Sequence, residues 1–371
     1  MTKTVKILHI ITDTNIGGAG HQLIALLDAM EPGFDLAVIL PENARLEPIL
    51  RDKGIECHPV PHIADQSYSR AGVRVLKRKI REIKPHIVHA HGCLSGRIAA
   101  KRYGKCKIVH TAHCAYPVAS WRKGFPFKLI SGFINNYYSH QVIATSPVAQ
   151  DVLLDMGTKK SKIRIILNGM PPAKDYTPEE KAKIREKYNI PPDTFVVAHI
   201  ARLTEIKGHD YVLDTAKELP FNVLVLFAGD GDREAHLRAR IQKEKLSNVR
   251  LLGFVQDVDE ILAIMDVQVN ASFVSETTSL ALLFGMSVGK PAIVTNHTGN
   301  PYVIKEGVNG LLVPPQDPQA LDDAITRMKD DPDLYQQLCQ GALQTYQREF
   351  TATRMAKETA AVYMNLLEGT Q

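Results

Sequence analysis

Two cations, Arg202 and Lys207, lie five residues apart between an apolar strand pattern, Phe195–Ala201, and the start of a helical pattern. Cations in one strand-to-helix loop can converge on a diphosphate, because a guanidinium binds two phosphate oxygens at once and an ammonium adds a point charge. The alternative interpretation is a pair of solvated surface cations. The spacing favours a site for a ligand that carries a diphosphate.

Glu276 lies just past a second strand pattern, Val267–Asn270, and before another helical pattern. Thr277, Thr278 and Ser279 follow it and supply hydroxyls together with the N–H groups of a helix start, a setting that suits sugar and phosphate oxygens. The alternative is a helix cap, in which the carboxylate only complements the positive end of the helix dipole.

A glycine-rich loop, Asn15–Gln22, separates the first strand pattern from the first helical pattern. Gly17 and Gly18 would let the backbone approach a ligand, and the N–H groups of the following helix would attract an anion. The nicotinamide fingerprint G-x-G-x-x-G needs a third glycine where Leu23 stands, so a dinucleotide-dependent oxidoreductase is disfavoured. A phosphate cradle and a plain tight turn remain equal alternatives.

The elements that would position these residues follow from an alternation of short apolar runs with helical patterns. This alternation predicts an α/β fold with two doubly wound parallel sheets, and a length of 371 residues suits two domains. The pattern breaks near 168–172, so we place the boundary between 172 and 173. The strand patterns are Lys6–Ile11, Asp35–Leu40, Cys57–Val60, Ile87–His91, Lys107–His110, Gln141–Thr145 and Ile163–Ile166, then Phe195–Ala201, Val223–Ala228, Val249–Leu252, Val267–Asn270, Ala292–Thr295 and Gly310–Val313.

Composition excludes several classes of protein. Hydrophobic residues make up 44% and charged residues 23%, which is ordinary for a globular enzyme and excludes a disordered or collagen-like chain. No apolar run approaches the roughly 18–20 residues that span a bilayer, and the charged Met1–Leu8 segment predicts a first strand instead of a signal peptide. The five cysteines form no CxxC pair, so we expect a reduced, cytosolic chain without a zinc site.

The net charge of +5 is modest, but the cations cluster in the first half. Arg74–Lys84 carries six cations and a single acid beside an apolar helical stripe, and Trp121–Lys128 mixes aromatic residues with cations. Solvated surfaces are one explanation. Attraction to an anionic membrane or to a phosphate-bearing acceptor is the other, whereas no recognition motif points to nucleic acid.

Taken together in order and spacing, the motifs resemble those of the GT-B glycosyltransferases of family 4, over nearly the whole chain. The family is retaining, metal-independent and dependent on nucleotide sugars. The residues that carry the resemblance are Gly17-Gly18, His113, Asn168-Gly169, Arg202 with Lys207, Ala228–Gly231, Gly253–Val255 and Glu276 with its followers.

The resemblance implies a role for each motif. Arg202 and Lys207 would neutralise the departing diphosphate, Glu276 would bind the donor sugar, and His113 would reach the sugar or the acceptor, unless it is a buried structural histidine. Gly17 and Gly18 would approach the diphosphate from the N-terminal domain. The backbone of Thr278, Ser279 and Leu280 would line the sugar–phosphate junction, and the loop with Phe254 and Val255 would receive the nucleobase.

The resemblance also bears on metals and on the domains. Asp230-Gly231-Asp232 and Asp257-Val258-Asp259 match the D-x-D motif that holds a divalent cation in other glycosyltransferases. We expect both to be turns and expect no metal, because the two cations would already do a metal's work. The family also implies an N-terminal acceptor-side domain over 1–172, a donor-binding domain over 173–350, a cleft between them, and a final helix over 351–371 that crosses back.

Two positions depart from the family pattern. Phe284 stands eight residues after Glu276, where the family usually has a second Glu for the ribose hydroxyls, and Tyr302 stands where many relatives have Glu. Loss of one charge-assisted hydrogen bond costs about 1.5–3 kcal/mol. These departures make the identity and affinity of the nucleotide uncertain, but they leave Arg202, Lys207 and Glu276 untouched.

The sequence therefore predicts a cytosolic transferase, peripheral at the inner face of the membrane, that uses a nucleotide-diphosphate sugar, foremost a UDP-sugar. The acceptor would be a surface glycan or a lipid-linked sugar, and the anomeric configuration would be retained by front-face attack without a protein nucleophile. A nucleotide-sugar epimerase or sugar phosphorylase on the same fold is one alternative. A catalytically idle homologue that binds a glycan or a partner is the other.

Overall fold

The computed structural model describes residues 4–113, 124–274 and 276–369 of the chain. Trp121, Arg122 and Lys123, which belong to the second predicted basic patch, lie outside these residues. The chain divides into two compact units. The N-unit comprises Met1–Gly169 with Ala352–Gln371, and the C-unit comprises Met170–Thr351. No helix in the described part is long and apolar enough to cross a bilayer.

The N-unit contains a parallel sheet of seven strands in the order β3-β2-β1-β4-β5-β6-β7. Apolar residues of neighbouring strands pack into separate clusters on the two faces of the sheet, which is why these strands read as nearly continuous apolar runs. The strands are β1 Val5–Ile10, β2 Phe34–Pro41, β3 Glu56–Val60, β4 Ile87–His91, β5 Lys107–Ala112, β6 Gln141–Ala144 and β7 Ile163–Ile165. The helices are α1 Gly18–Asp28, α2 Leu46–Asp52, α3 Arg70–Ile83, α4 Leu94–Tyr103, α5 Phe127–Tyr137 and α6 Pro147–Asp155, to which the last helix of the chain, Ala352–Glu368, is added.

The last helix, α15 (Ala352–Glu368), packs against α1 inside the N-unit. Met355 and Tyr363 are buried on the same face, eight residues apart, as expected for a helical stripe. The Met355 sulfur accepts hydrogen bonds from Gln22 Nε2 and from the Gly169 N–H, both at 3.3 Å. The C-terminal helix is thus a structural part of the N-unit.

The C-unit contains a parallel sheet of six strands in the order β10-β9-β8-β11-β12-β13. The reversal of strand order between β8 and β11 is the point where doubly wound sheets bind ligands beyond the carboxyl ends of their strands. The strands are β8 Phe195–Ile200, β9 Val223–Ala228, β10 Val249–Gly253, β11 Val267–Asn270, β12 Ala292–Thr295 and β13 Gly310–Val313. The helices are α7 Pro178–Lys187, α8 His209–Ala216, α9 Glu234–Lys243, α10 Val258–Ile264, α11 Leu280–Ser287, α12 Asn300–Val303, α13 Pro318–Asp330 and α14 Pro332–Glu349.

Two glycines after β9 hold the loop that carries Arg202. Gly229 has a positive φ of 149°, and a Cβ placed on it would lie 2.0 Å from the Ala201 carbonyl oxygen. A Cβ on Gly231 would lie 2.3 Å from the Leu203 carbonyl oxygen, and the Leu203 N–H donates to the Asp230 carbonyl at 2.7 Å. The predicted turn at 230–232 therefore acts as a backbone clamp on the loop of Arg202.

Replacement of Gly229 by Ala should lower the free energy of unfolding by about 1–3 kcal/mol, because the added Cβ collides with backbone that cannot move aside. Urea denaturation would measure the change. Gly124→Ala is the matched control, since none of the atoms in residues 4–113, 124–274 and 276–369 lies within 4 Å of its Cβ position, and it should change stability by less than about 0.5 kcal/mol. Equal stability of the two variants would contradict the clamp.

Candidate functional site

An ion pair between Lys207 and Glu276 lies beyond the carboxyl ends of β8 and β11. Lys207 Nζ contacts Glu276 Oε1 directly, and the two side chains are only 17% and 9% exposed. Ser272 Oγ donates to the same carboxylate oxygen at 2.9 Å. Because β8 and β11 are neighbours, the loops that follow them meet at one edge, which is why residues 69 positions apart become partners.

The backbone fixes Glu276 from the side of β12. The Glu276 N–H donates to Thr298 Oγ1 at 3.0 Å, and its carbonyl accepts from the Gly299 N–H at 3.0 Å. A Cβ on Gly299 would lie 2.0 Å from the Thr277 carbonyl oxygen, so the two loops are in direct backbone contact. The backbone of Glu276 is therefore fixed, and Lys207 and Ser272 hold its carboxylate.

Arg202 differs from Lys207 because it is exposed. Its guanidinium has no hydrogen bond or ion pair with any of the residues that the structure describes. The site therefore combines one free cation with one cation that a carboxylate already neutralises. An anionic ligand can bind Arg202 at once, whereas it must compete with Glu276 for Lys207.

The first turn of α11 supplies backbone donors near Glu276. Ser279 is the N-cap residue with an extended backbone, and its hydroxyl does not cap the helix. Leu280 begins the helix, and Thr278 before it is buried. A helix of eight residues that begins in this way directs N–H groups and the positive end of its dipole toward an anion.

Phe284, one turn into α11, packs against the apolar cluster formed by α7, α10 and the adjacent strands. Val255, which was predicted to contact the nucleobase, packs against the same cluster. Phe254 is 73% exposed and lines an open depression together with Tyr188 and Val255. Tyr302 is also exposed, with Lys305 Nζ 5.7 Å from its ring centroid. Phe284, which packs against this apolar cluster, thus takes the position where the ribose-binding carboxylate was expected.

In the N-unit, Gly17 and Gly18 begin α1. Both are exposed, and no atom of the described part of the chain lies within 4 Å of a Cβ placed on either one. The first turn of α1 holds no acidic side chain, so its N–H groups are not blocked by a competing carboxylate. The space around these glycines suits the close approach of an anion to the backbone.

His113 lies just past β5 and takes part in a cluster of histidines. Its Nε2 lies 2.9 Å from His91 Nδ1, and His91 Nε2 lies 3.0 Å from His9 Nδ1. His89 stacks on His91 at 4.5 Å between ring centroids, with its nitrogens 2.6 Å from Tyr363 Oη and from Thr111 Oγ1. Burial lowers the pKa of His9 to about 3 and that of His113 to about 4, and it places the pKa values of His89 and His91 well below 6.5.

The outward face of α5 is apolar, although its inward face is not. Leu129, Ile130, Phe133 and Tyr137 are all about half or more exposed and lie on one stripe of the helix. The buried residues of α5 are Gly132 and Asn135, with Gly132 packed against the backbone of Gly157 and Asn135 bonded to Arg97. This inverts the usual arrangement, in which the apolar face of a helix contacts the core.

The basic helix predicted over Arg74–Lys84 is α3. Val73, Leu76 and Ile80 are buried, and Arg74, Arg78 and Arg81 are exposed on the opposite side. These cations and Lys77 line an open depression. The predicted amphipathic helix is confirmed, and its outer face carries the positive charge.

Comparison with known proteins decides the family. Residues 16–174 match the sequence family described as Glycosyltransferase Family 4, and residues 180–345 match Glycosyl transferases group 1. The chain belongs to the GT-B glycosyltransferases. The solved structure of Anabaena Alr3699/HepE in complex with UDP and glucose has the same fold, with a TM-score of 0.84, 21% identity, and coverage of 96% of this chain and 99% of its own.

Two curated relatives extend this similarity. The UDP-Gal:alpha-D-GlcNAc-diphosphoundecaprenol alpha-1,3-galactosyltransferase of Escherichia coli is 27% identical over 80% of this chain and 81% of its own length. The uncharacterized glycosyltransferase MJ1607 of Methanocaldococcus jannaschii is 26% identical over 94% of this chain and 91% of its own. The predicted GT-B fold and the predicted membership of the glycosyltransferases are confirmed.

Sequence reasoning singled out Arg202, Lys207 and Glu276, and the structure brings Lys207 and Glu276 into contact. It missed His91, which contacts His113, and His9, which contacts His91. The signal was the spacing of His89 and His91 by two residues in a strand pattern, which places both on one face. The apolar stripe of α5 was also missed, because an exposed apolar stripe and a buried one have the same sequence period.

The buried histidines of this glycosyltransferase should make its stability depend on pH. Their pKa values are lower in the folded chain than the ordinary 6.5, so the folded state binds fewer protons and the free energy of unfolding falls as pH decreases through 6.5. The expected slope is about 1.4 kcal/mol per pH unit for each histidine that stays neutral. Above about pH 7 these histidines should add no pH dependence to the free energy of unfolding.

Urea denaturation between pH 7 and 5 measures this slope. His9→Leu should reduce it by about 1.4 kcal/mol per pH unit, the share of one histidine. His62→Asn, at an exposed position with positive φ that Asn tolerates, should leave it unchanged. A slope that His9→Leu does not alter would show that the cluster is protonated in the folded chain.

Proposed function

We propose that this chain transfers a sugar from a nucleotide-diphosphate sugar, foremost a UDP-sugar, to an acceptor hydroxyl with retention of the anomeric configuration. The observation that carries the proposal is the Lys207–Glu276 pair beside Arg202, which is exposed and bonds to none of the described side chains. A protein that only bound a neutral glycan would have no use for cations at the switch point of a parallel sheet. Donor binding here needs an anion, and a diphosphate supplies it.

Donor binding would exchange partners at this site. The diphosphate first binds Arg202 and then displaces Glu276 from Lys207, which leaves the carboxylate bonded to Ser272 and able to accept hydroxyl hydrogens of the sugar. The backbone of Thr278, Ser279 and Leu280 would add donors to the phosphate oxygens. In this way one ion pair of the free chain becomes two charge-assisted contacts with the donor.

The chemical step would then proceed by front-face attack. The bond between the anomeric carbon and the phosphate oxygen breaks, and Arg202 and Lys207 stabilise the charge that develops on the diphosphate. The acceptor oxygen forms the new bond on the same face of the sugar, and its proton passes to a phosphate oxygen. No protein nucleophile takes part, and His113 would contact the sugar or the acceptor.

The preference for a UDP-sugar rests on relatives. The HepE structure contains UDP, and the E. coli relative is named for UDP-Gal. Phe284 offers no carboxylate for the ribose, so the affinity for the nucleoside should be moderate and come from the diphosphate contacts and from the depression beside Phe254. The sugar itself is left open by these residues.

A lipid-linked acceptor at the inner face of the membrane is supported by two surfaces of the N-unit. The E. coli relative is named for an acceptor on diphosphoundecaprenol. The cations of α3 would attract anionic headgroups, and the apolar stripe of α5 would enter the headgroup region. A peripheral position would bring the enzyme to its acceptor without any spanning helix.

Thermal denaturation with UDP, GDP, ADP, TDP and CDP tests the donor site. UDP at a hundred times its dissociation constant should stabilise the protein by about 2.7 kcal/mol, and Arg202→Ala should abolish most of this shift. Arg238→Ala, which removes an exposed arginine from α9, is the matched control and should leave the shift intact. A folded protein that no nucleotide stabilises would instead be the catalytically idle homologue.

Co-sedimentation with vesicles tests the membrane surface. Replacement of Lys77, Arg78 and Lys79 by Glu should weaken binding to phosphatidylglycerol-containing vesicles by at least about tenfold, because each cation near an anionic surface contributes about 1 kcal/mol. Ile130→Asp with Phe133→Asp should weaken it also at high salt. Replacement of the exposed Lys183, Lys243 and Lys245 of the C-unit by Glu changes the net charge equally and should have little effect. Equal sedimentation of all variants would overturn the membrane contact.

A further inference from the structure

Three histidines of the N-unit form a continuous hydrogen-bonded chain. His9 on β1 contacts His91 at the end of β4, and His91 contacts His113 just past β5. His91 uses both of its ring nitrogens in these contacts, at 3.0 Å and 2.9 Å. The proton positions on the three rings are therefore linked.

Only two arrangements of protons are compatible with this chain. Burial lowers the pKa of each of the three rings, so each ring is neutral and carries one N–H. In the first arrangement His9 Nδ1–H donates to His91 Nε2, and His91 Nδ1–H donates to His113 Nε2. In the second arrangement both hydrogen bonds run in the opposite direction.

The His9 end of the hydrogen-bonded chain of histidines distinguishes the two arrangements. His9 is completely buried, and its Nε2 has no hydrogen-bond partner among the residues that the structure describes. In the second arrangement this nitrogen would carry a buried N–H with no acceptor, which proteins rarely tolerate. In the first arrangement it carries only a lone pair, which is less unfavourable to leave unpaired.

We propose that His9 and His91 are positioning residues that fix the proton of His113 on Nδ1. This deepens the proposed function, since it rests on His113 contacting the sugar or the acceptor there. His113 Nε2 then accepts from the core, and Nδ1–H is a donor, so any group that binds Nδ1 must be an acceptor, such as a sugar hydroxyl oxygen. His113 orients its partner as a neutral donor and does not remove the acceptor's proton.

His89 completes the cluster without joining the chain. It stacks on both His9 and His91, and its two nitrogens contact Tyr363 and Thr111. The nitrogens of His9, His89 and His91 come within 4.8 Å of one another, which raises the question of a metal. Stacked rings with interplanar angles of 23–38° direct their lone pairs along nearly parallel planes, so they do not converge on one ion.

Nitrogen NMR of the full-length protein, labelled with ¹⁵N-histidine, reports the tautomer of each ring. The signal of His113 is assigned by its loss in His113→Gln. We expect the Nδ1–H form of His113 in at least about a fivefold excess, because the opposite arrangement leaves a buried N–H unsatisfied. An excess of Nε2–H in the wild-type protein would overturn the proposal.

Two substitutions of His9 test whether it sets the tautomer of His113, which it does not contact directly. His9→Met removes the donor to His91 and offers only a sulfur acceptor in its place, so His91 should carry its proton on Nε2 and the Nε2–H form of His113 should rise to a comparable population. His9→Asn places an amide N–H where Nδ1–H stood and should restore the wild-type spectrum. A His113 spectrum that is identical in all three proteins, with thermal denaturation showing each to be folded, would refute the role of His9.

These measurements need no donor and no acceptor, so they are independent of the proposed transferase activity. A protein that binds no nucleotide can still show the predicted tautomer, and a nucleotide-binding protein can fail to show it. Addition of ZnCl₂ is part of the same experiment. Zinc that shifts the signals of His9, His89 and His91 together would identify a metal site and contradict the hydrogen-bonded chain.

Discussion

The ion pair of Lys207 and Glu276 requires an unusual surrounding structure, because both charges are largely withdrawn from water. Such a pair is favourable only if its geometry is fixed and its remaining lone pairs are bonded. The C-unit meets both conditions. Ser272 bonds the carboxylate, Thr298 and Gly299 bind the backbone of Glu276, and the parallel pairing of β8 with β11 brings the two loops together.

The candidate site residues are charged in the C-unit and neutral in the N-unit. In the C-unit charged groups neutralise one another, and the proposed donor binding would make them available to a charged ligand by exchange. In the N-unit the candidate residues are neutral histidines, whose burial lowers their pKa values and leaves hydrogen bonds as their main interaction. A transferase that must bind a diphosphate with one unit and orient neutral hydroxyls with the other would need both kinds of environment.

The succession of strands and helices along the sequence was predictable, because buried parallel strands are short apolar runs and the turns between them contain glycine or polar residues. Lys207 and Glu276 could also be selected, since each follows a strand at the carboxyl edge of a sheet. The contacts of His9 and His91 could not, because strand order in the sheet is not written in the local pattern. The packing of Phe284 depends on α7 and α10, which lie far from it in sequence.

The position of the final helix in the N-unit affects how the protein folds during its synthesis on the ribosome. Tyr363 Oη lies 2.6 Å from His89 Nδ1, and the Met355 sulfur receives the N–H of Gly169. Residues 1–169 leave the ribosome long before these partners, and the whole C-unit is synthesised in between. Domains generally fold as units in the order of synthesis. Here the N-unit gains the contacts of its last helix only after the C-unit has been synthesised, so the C-unit, although second in sequence, can complete its own core first.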